Sequence, residues 1–156
     1  MANKIYVSKE GLETLKANFQ KANEELATIR SEKSVAYTAT GDTWHDNPYF
    51  SQLEREERKR VERIAELQLL IANAQVFSVD KRNTSRVQLG SIVHLRRYYK
   101  VSGEEEETVW EIVGYGETNV PKRQVAYNAP MARAVMGLQV GSTAQSDTPR
   151  GPTEYE

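Results

Sequence analysis

The sequence contains no cysteine in its 156 residues. Disulfide bonds and thiolate-bound metal sites are therefore excluded. There is no apolar run near the roughly 18 residues that a membrane span requires, and the first residues lack the apolar core of a signal peptide. We therefore expect a cytoplasmic protein without membrane association.

An excess of charge of one sign is also missing, because 21 lysines and arginines and 22 acidic residues leave a net charge of −1 at pH 7. Overall charge therefore favours neither the presence nor the absence of nucleic acid, and any such contact would depend on local patches. Charged residues make up 28% and hydrophobic residues 38%, which is typical of a soluble protein with a large surface. The length accommodates one ordinary domain or two small ones.

The first of two long helix-prone segments has Ser8 as a predicted N-cap and Gly41 as a predicted stop. Charged residues between the apolar ones, including Lys33, are assigned to a solvated face. The apolar residues recur in alternating steps of three and four, which is the pattern of a coiled-coil seam. They are Leu12, Leu15, Phe19, Ala22, Leu26 and Ile29.

The second segment begins near Pro48, which suits the first turn of a helix, with Asp46 or Asn47 as its cap. It is predicted to end near Asn73, and two charged residues interrupt its seam. The predicted apolar positions are Phe50, Leu53, Val61, Ile64, Leu67 and Ile71, with Glu57 and Arg60 as the interruption. Two arms of about 40 Å each, joined by a short connection, favour an antiparallel helical hairpin.

The second half of the chain alternates like short strands separated by glycine turns. Strands are predicted at residues 86–89, 91–99, 107–113 and 140–144, with a short helix at 131–136. We therefore predict a coiled-coil hairpin domain at residues 1–77, a linker at 78–85 and a small α+β domain at 86–156.

The connection between the two arms, residues 40–49, contains the candidate site. Asp42 and Asp46 are either metal-binding carboxylates or only helix caps. His45 is either an exposed turn residue or a ligand. Trp44 is predicted to stack on a nucleotide or to pack in a protein channel or, alternatively, to fold onto Tyr49 and cover the end of the hairpin.

Several stretches, taken in order, resemble the bacterial Gre transcript-cleavage factors. Thr40-Gly41-Asp42 and Asp46-Asn47-Pro48-Tyr49 resemble the tip of that family, and Asn73-Ala74-Gln75-Val76 resembles the end of its second arm. Residues 89–93 lie where the family has its first C-terminal strand, and residues 128–137 are similar to its Ser-Pro-Leu-Ala-Arg-Ala-Leu-Leu-Gly element. The resemblance implies a coiled-coil hairpin followed by an FKBP-like domain, with a further last strand beyond the end of this sequence.

The resemblance also implies a function. In the family, the globular domain docks at the rim of the RNA polymerase secondary channel and the hairpin tip enters that channel. Two tip carboxylates help the polymerase to hold a second Mg²⁺, and the polymerase then hydrolyses the RNA 3′ end of a backtracked transcript. The chain would thus be a cofactor of the polymerase and not itself an enzyme, and we expect a monomer.

Two alignments of the tip remain open. The family tip reads Gly-Asp-Leu-x-Glu-Asn-x-Glu-Tyr, and Asp42 matches its first acid. Without a gap, His45 stands at the second acid; with a shift of one residue, Asp46-Asn47 stands over Glu-Asn. The sequence therefore predicts Asp42 and Asp46 as catalytic, Mg²⁺-sharing residues, and Trp44, His45 and Asn47 as tip contacts.

Three functions follow from these observations. The chain is predicted to stimulate transcript cleavage. The second possibility is a non-cleaving homologue that occupies the same channel and modulates or inhibits the polymerase. The third is a coiled-coil adaptor unrelated to transcription, in which the tip is only a turn.

Overall fold

The computed structural model describes residues 3–79 and 84–156. Its contacts divide the chain into two units, one formed by residues 12–74 and the other by residues 4–11 together with 75–156. Strand β1 (Ile5–Val7) pairs with β2 (Ala74–Val76), and residues 4–11 group with the second unit. The predicted domain bounds remain a prediction. Residues 80–83 of the predicted linker lie outside the described residues.

Two helices form the first unit, α1 (Lys9–Thr40) and α2 (Pro48–Asn73). The predicted cap of α1 is confirmed, because Ser8 Oγ accepts a hydrogen bond from the backbone N–H of Gly11 at 2.9 Å. The predicted stop is also confirmed: α1 ends at Thr40, and Gly41 has a φ of 53°, a left-handed conformation that glycine adopts without strain.

Ion pairs between the arms show that the helices are antiparallel. Glu25 pairs with Arg60, whereas Lys33, further along α1, pairs with Glu54 and Glu57, earlier on α2. Six of the twelve predicted seam residues are buried, namely Ala22, Leu26, Ile29, Phe50, Leu53 and Leu67, and Ala36 is buried in addition. Five others are half-buried, namely Leu12, Leu15, Phe19, Ile64 and Ile71. The hairpin therefore buries one apolar stripe from each helix.

Val61 is the exception among the predicted seam residues, with 44% of its surface exposed. Counting from Leu53 in steps of four and three leads to Glu57, Arg60, Ile64 and Leu67. The charged residues thus occupy seam positions themselves, and Val61 lies one residue off the stripe.

The second unit contains a mixed sheet in the order β5-β4-β3-β7-β6. The strands are β3 (Ile92–Tyr99), β4 (Glu105–Val113), β5 (Gln124–Ala126), β6 (Ala144–Thr148) and β7 (Gly151–Tyr155). Strands β3 and β4 are antiparallel, β4 and β5 are parallel, and α3 (Pro130–Val135) contributes Ala132 and Val135 to the core. The hydrophobic core of this unit also includes Val93, Leu95, Trp110, Ile112, Val125 and Tyr155.

The α+β class, with an N-terminal helical hairpin followed by a small mixed-sheet domain, is therefore confirmed. Two predicted strands are wrong. Residues 86–89 form no strand, because Val87 only exchanges hydrogen bonds with the segment after α3 and a turn follows at Gly90. Residues 140–143 form a turn around Gly141, which has a φ of 83°, so the strand begins at Ala144. None of the described helices is both long and apolar enough to cross a membrane.

Candidate functional site

The hairpin tip is a short 3₁₀ turn, Gly41–Asp46, between the two helices. Thr43 Oγ1 donates a hydrogen bond to the carbonyl of Thr40 at 2.8 Å, which ties the start of the turn to the end of α1. The backbone N–H of Asn47 donates to the carbonyl of Trp44 at 3.2 Å, which closes the other end. The turn is therefore bonded to its neighbours on both sides.

Asn47, and not Asp46, is the cap of α2. Its Oδ1 accepts hydrogen bonds from the backbone N–H groups of Tyr49 at 3.0 Å and Phe50 at 3.5 Å, and Pro48 occupies the first helical position. Of the two caps that the sequence allowed, only this one forms. The oxygen of Asn47 is thus occupied within the hairpin, and the role predicted for Asn47 as a tip contact remains a prediction.

Trp44 is half-buried and covers the end of the hairpin, but not against Tyr49. Its ring centroid lies 4.9 Å from that of Phe50 on α2 and 5.9 Å from that of Tyr37 on α1. Tyr49 instead donates a hydrogen bond from its hydroxyl to Glu32 at 3.2 Å. The indole therefore belongs to a small aromatic cluster that joins both arms to the turn.

The carboxylates of Asp42 and Asp46 are both exposed, and neither forms a hydrogen bond or ion pair with any residue in the described ranges. Neither is used as a helix cap, so both remain available to a ligand. In a 3₁₀ helix the side chains at i and i+3 eclipse. Asp42 therefore shares a face with His45, and Asp46 projects about a third of a turn away.

The imidazole of His45 is also exposed, and its ring centroid lies 3.5 Å from that of Trp44, with the planes tilted by 35°. The structure thus brings His45, Trp44 and Asp42 together on one small turn. The side chain that stands in line with Asp42 is an imidazole, which corresponds to the ungapped alignment of the tip.

Among the described residues there is no group of three or more histidine, cysteine, aspartate or glutamate side chains that could hold a metal ion. Mg²⁺ prefers oxygen ligands, keeps several waters and is often bound by only one or two protein carboxylates. The unpaired Asp42 carboxylate fits one such contribution. The remaining ligands of a Mg²⁺ at this tip would have to come from a partner.

A polar layer lies in the seam behind the tip. Its members on α2, Glu57 and Arg60, were expected to interrupt the seam, but their partners on α1 were not recognised from the sequence. Lys33 Nζ and Arg30 Nε both donate to Glu57, each at 2.8 Å, and Arg60 Nη1 donates to Glu25 at 2.7 Å. Lys33 had been assigned to the solvated face, yet its side chain is only 27% exposed. The spacing of the heptad repeat indicated this position, because Lys33 lies four residues after the seam residue Ile29.

These contacts alter the ionisation of the two central groups. The hydrogen bond from Lys33, followed by that from Arg30, holds the pKa of Glu57 below its usual value. The same bond to Glu57 raises the pKa of Lys33 in spite of the opposing effect of burial. Both groups are therefore charged in the folded hairpin near neutral pH.

Comparison with known proteins identifies relatives of this chain. A family model described as "Transcription elongation factor, GreA/GreB, C-term" matches residues 82–156. A protein named transcription elongation factor GreA from Methylobacterium nodulans is 35% identical over 118 residues, covering 76% of this chain and 72% of that protein. The protein of the same name from Chelativorans sp. (strain BNC1) is 30% identical over 154 residues, covering 99% and 95%.

The crystal structure of GreA factor homolog 1 (Gfh1) of Thermus thermophilus matches with a TM-score of 0.46 and 22% identity, covering 99% of this chain and 96% of that one. The helical hairpin and the α+β unit, together with a relative that is 30% identical and is matched over 95% of its length, define a class of transcription factor. The chain belongs to the GreA/GreB family of transcription elongation factors.

Proposed function

We propose that this chain binds RNA polymerase, inserts its hairpin tip into the secondary channel and stimulates cleavage of backtracked transcripts. The polymerase performs the hydrolysis, and the chain acts as a monomeric cofactor and not as an enzyme. The proposal is supported by the membership of the family and by the resemblance of the tip to that of the cleavage factors.

The observation that carries the proposal is the pair of unengaged carboxylates on the turn. Acidic side chains that cap a helix or pair with a neighbour would be unavailable to a metal, whereas Asp42 and Asp46 are exposed and form no such bond within the described residues. Asn47 provides the N-cap of α2, so Asp46 is not needed for capping.

A second metal ion near the polymerase's own one would orient and activate the attacking water of phosphodiester hydrolysis. Asp42 would supply one oxygen ligand to that ion. Asp46 would contribute from the adjacent face of the turn, either through a coordinated water or after a change of side-chain rotamer. Trp44, His45 and Asn47 would contact the walls of the channel or the RNA 3′ end.

One observation favours a second function, a non-cleaving factor that modulates or inhibits the polymerase through the same channel. The residue in line with Asp42 is His45, and imidazole is a poor ligand for Mg²⁺. A tip with only one well-placed carboxylate would occupy the channel without completing the metal site.

The two functions are separated by a cleavage assay on stalled, backtracked elongation complexes of a bacterial RNA polymerase with 5′-labelled RNA. The expected result is shortening of the RNA by the wild-type protein and its loss in Asp42→Asn, with unchanged binding to the polymerase. The exposed Val61 of α2 offers a matched control, and Val61→Ala should cleave as wild type does.

Polymerase binding without RNA shortening by the wild-type protein would leave the modulator as the function. A protein that fails to bind the polymerase at all would contradict both functions and favour an adaptor. If Asp42→Asn lost binding as well as cleavage, Asp42 would support the fold of the tip and not the metal site.

A further inference from the structure

We infer that Trp44 is a positioning residue, which holds the Gly41–Asp46 turn against the end of the hairpin and thereby sets the position from which the Asp42 side chain extends. The inference rests on the proposed function for its catalytic meaning. Its structural part is independent of that function and is tested separately below.

Trp44 is the residue of the turn that reaches both arms through its side chain. Its ring packs on Phe50 of α2 at 4.9 Å and on Tyr37 of α1 at 5.9 Å, and Tyr37 and Phe50 lie 6.4 Å apart. Phe50 is itself buried together with Ile29, Ala36 and Leu53. The indole is therefore anchored to the last apolar layer of the seam.

The backbone of Trp44 connects the turn to the start of α2. Its carbonyl accepts the N–H of Asn47 at 3.2 Å, and Asn47 in turn caps the helix. The side chain and the main chain of one residue thus join α1, the turn and α2.

At the opposite end of the turn, the hydrogen bond from Thr43 Oγ1 to the carbonyl of Thr40 connects the turn to α1 but not to α2. Gly41 has a positive φ, and no described atom outside the two neighbouring residues lies within 4 Å of the position that a Cβ would occupy there. In the sequence, Asp42 lies between Gly41 and Trp44. Its carboxylate forms no bond within the described residues, so the backbone of the turn sets only the point from which this side chain extends. Trp44 is the side chain that anchors that backbone to both helices.

This packing also weighs against Trp44 as a base-stacking platform. The ring centroids of Phe50, Tyr37 and His45 lie 4.9, 5.9 and 3.5 Å from that of the indole. A nucleobase would have to displace one of these rings. The structure therefore assigns Trp44 to the support of the tip.

The test compares Trp44→Ala, which removes the ring, with Trp44→Phe, which keeps an aromatic ring, and with the control Val61→Ala. Hydrogen exchange of the full-length protein measures the turn directly. The N–H of Asn47 and its neighbours in the turn should exchange about tenfold faster or more in Trp44→Ala, because two aromatic contacts are lost. The amides of α1 near Ile29 should keep their protection in Trp44→Ala. In Trp44→Phe, most of the protection of the turn amides should be restored.

The kinetics of transcript cleavage measure how the loss of the Trp44 ring affects function. At saturating factor the maximal cleavage rate should fall up to about 100-fold in Trp44→Ala, as expected for a displaced catalytic group, and recover in Trp44→Phe. The concentration of factor that gives half-maximal cleavage should change little, because the helices and the second unit are intact.

Unchanged exchange in the turn, or a wild-type maximal rate in Trp44→Ala, would overturn the inference. Loss of protection along α1 would also overturn it, since Trp44 would then stabilise the hairpin as a whole. If Trp44→Phe failed to restore cleavage although the turn was protected, the indole would act on the RNA or the polymerase instead. A wild-type protein that binds without cleaving would contradict the proposed function, while the exchange data would still decide whether Trp44 holds the turn.

Discussion

Lys33 Nζ lies 2.8 Å from Glu57 Oε2 across the hairpin, at positions where both helices otherwise place apolar residues. Arg30 donates to the other oxygen of Glu57 at 2.8 Å, and Lys33 also lies 5.4 Å from the centroid of the Phe50 ring. The polar layer thus adjoins the aromatic layer that supports the tip. A charged pair at a seam position disfavours other alignments of the helices, because a shifted register would leave one charge against an apolar residue.

Replacement of Glu57 by glutamine is expected to destabilise the hairpin by about 1 kcal/mol, between the values for exposed and for buried ion pairs. The reason is that two cations, Arg30 and Lys33, lose their shared carboxylate. Urea unfolding followed by circular dichroism measures the effect. The matched control is Glu13→Gln, which removes an exposed pair with Lys16 and should change stability by less than about 0.5 kcal/mol. Equal effects of the two variants would contradict a special role of the layer.

The stability of the hairpin is expected to depend on pH through the same pair. The folded-state pKa of Glu57 lies below its ordinary value of 4.5, so its contribution is present above that pH and is lost as the pH falls through the lowered pKa. The folded-state pKa of Lys33 lies above 10.5, so its contribution is present below that pH and is lost as the pH rises through the raised value. Unfolding of wild type and Glu57→Gln as a function of pH checks this. The difference between them should shrink on the acid side; a constant difference would show that Glu57 acts through packing.

The heptad steps, both helix ends and the cap at Ser8 were predictable from the sequence, because they depend on local spacing and residue type. The role of Lys33 was not recognised, since a lysine at a seam position looks like its solvated neighbours until Glu57 is seen opposite. Contact with Tyr49, five residues away, was one of the alternatives for Trp44, and the partners that the structure shows are Tyr37 and Phe50. Contacts between helices depend on how the two stripes align, and local spacing does not determine that alignment.

The choice between Asp46 and Asn47 as the cap of α2 was open, although the sequence held the signal. Proline is favoured at the first helical position, so the residue before Pro48 is the expected cap. The exposure of Asp42 and Asp46 could not be read from the sequence, because both residue types serve equally well as caps and as free carboxylates.

Replacement of Asn47 by alanine is expected to cost about 1 kcal/mol of stability, because the N–H groups of Tyr49 and Phe50 lose their acceptor. Asn47→Asp should retain most of the stability, since aspartate caps helices about as well. Asp46→Asn provides the neighbouring control and should leave stability within about 0.5 kcal/mol, because Asp46 caps nothing. Thermal unfolding of the three variants measures the effect. A larger loss in Asp46→Asn than in Asn47→Ala would show that the cap is assigned to the wrong residue.

Replacement of His45 by glutamate is expected to raise the maximal rate of transcript cleavage. The 3₁₀ turn places residue 45 on the face of Asp42, so a glutamate there would supply a second carboxylate where the family tip has one. Asp46 lies about a third of a turn away, so Asp46→Asn should lower the rate less than Asp42→Asn does, and His45→Gln, which adds no charge, serves as the control. Cleavage of 5′-labelled RNA at saturating factor checks the order of rates. If His45→Glu had no effect and Asp46→Asn abolished cleavage, the shifted alignment would be correct, and the turn would have to rearrange within the polymerase to bring Asp46 beside Asp42.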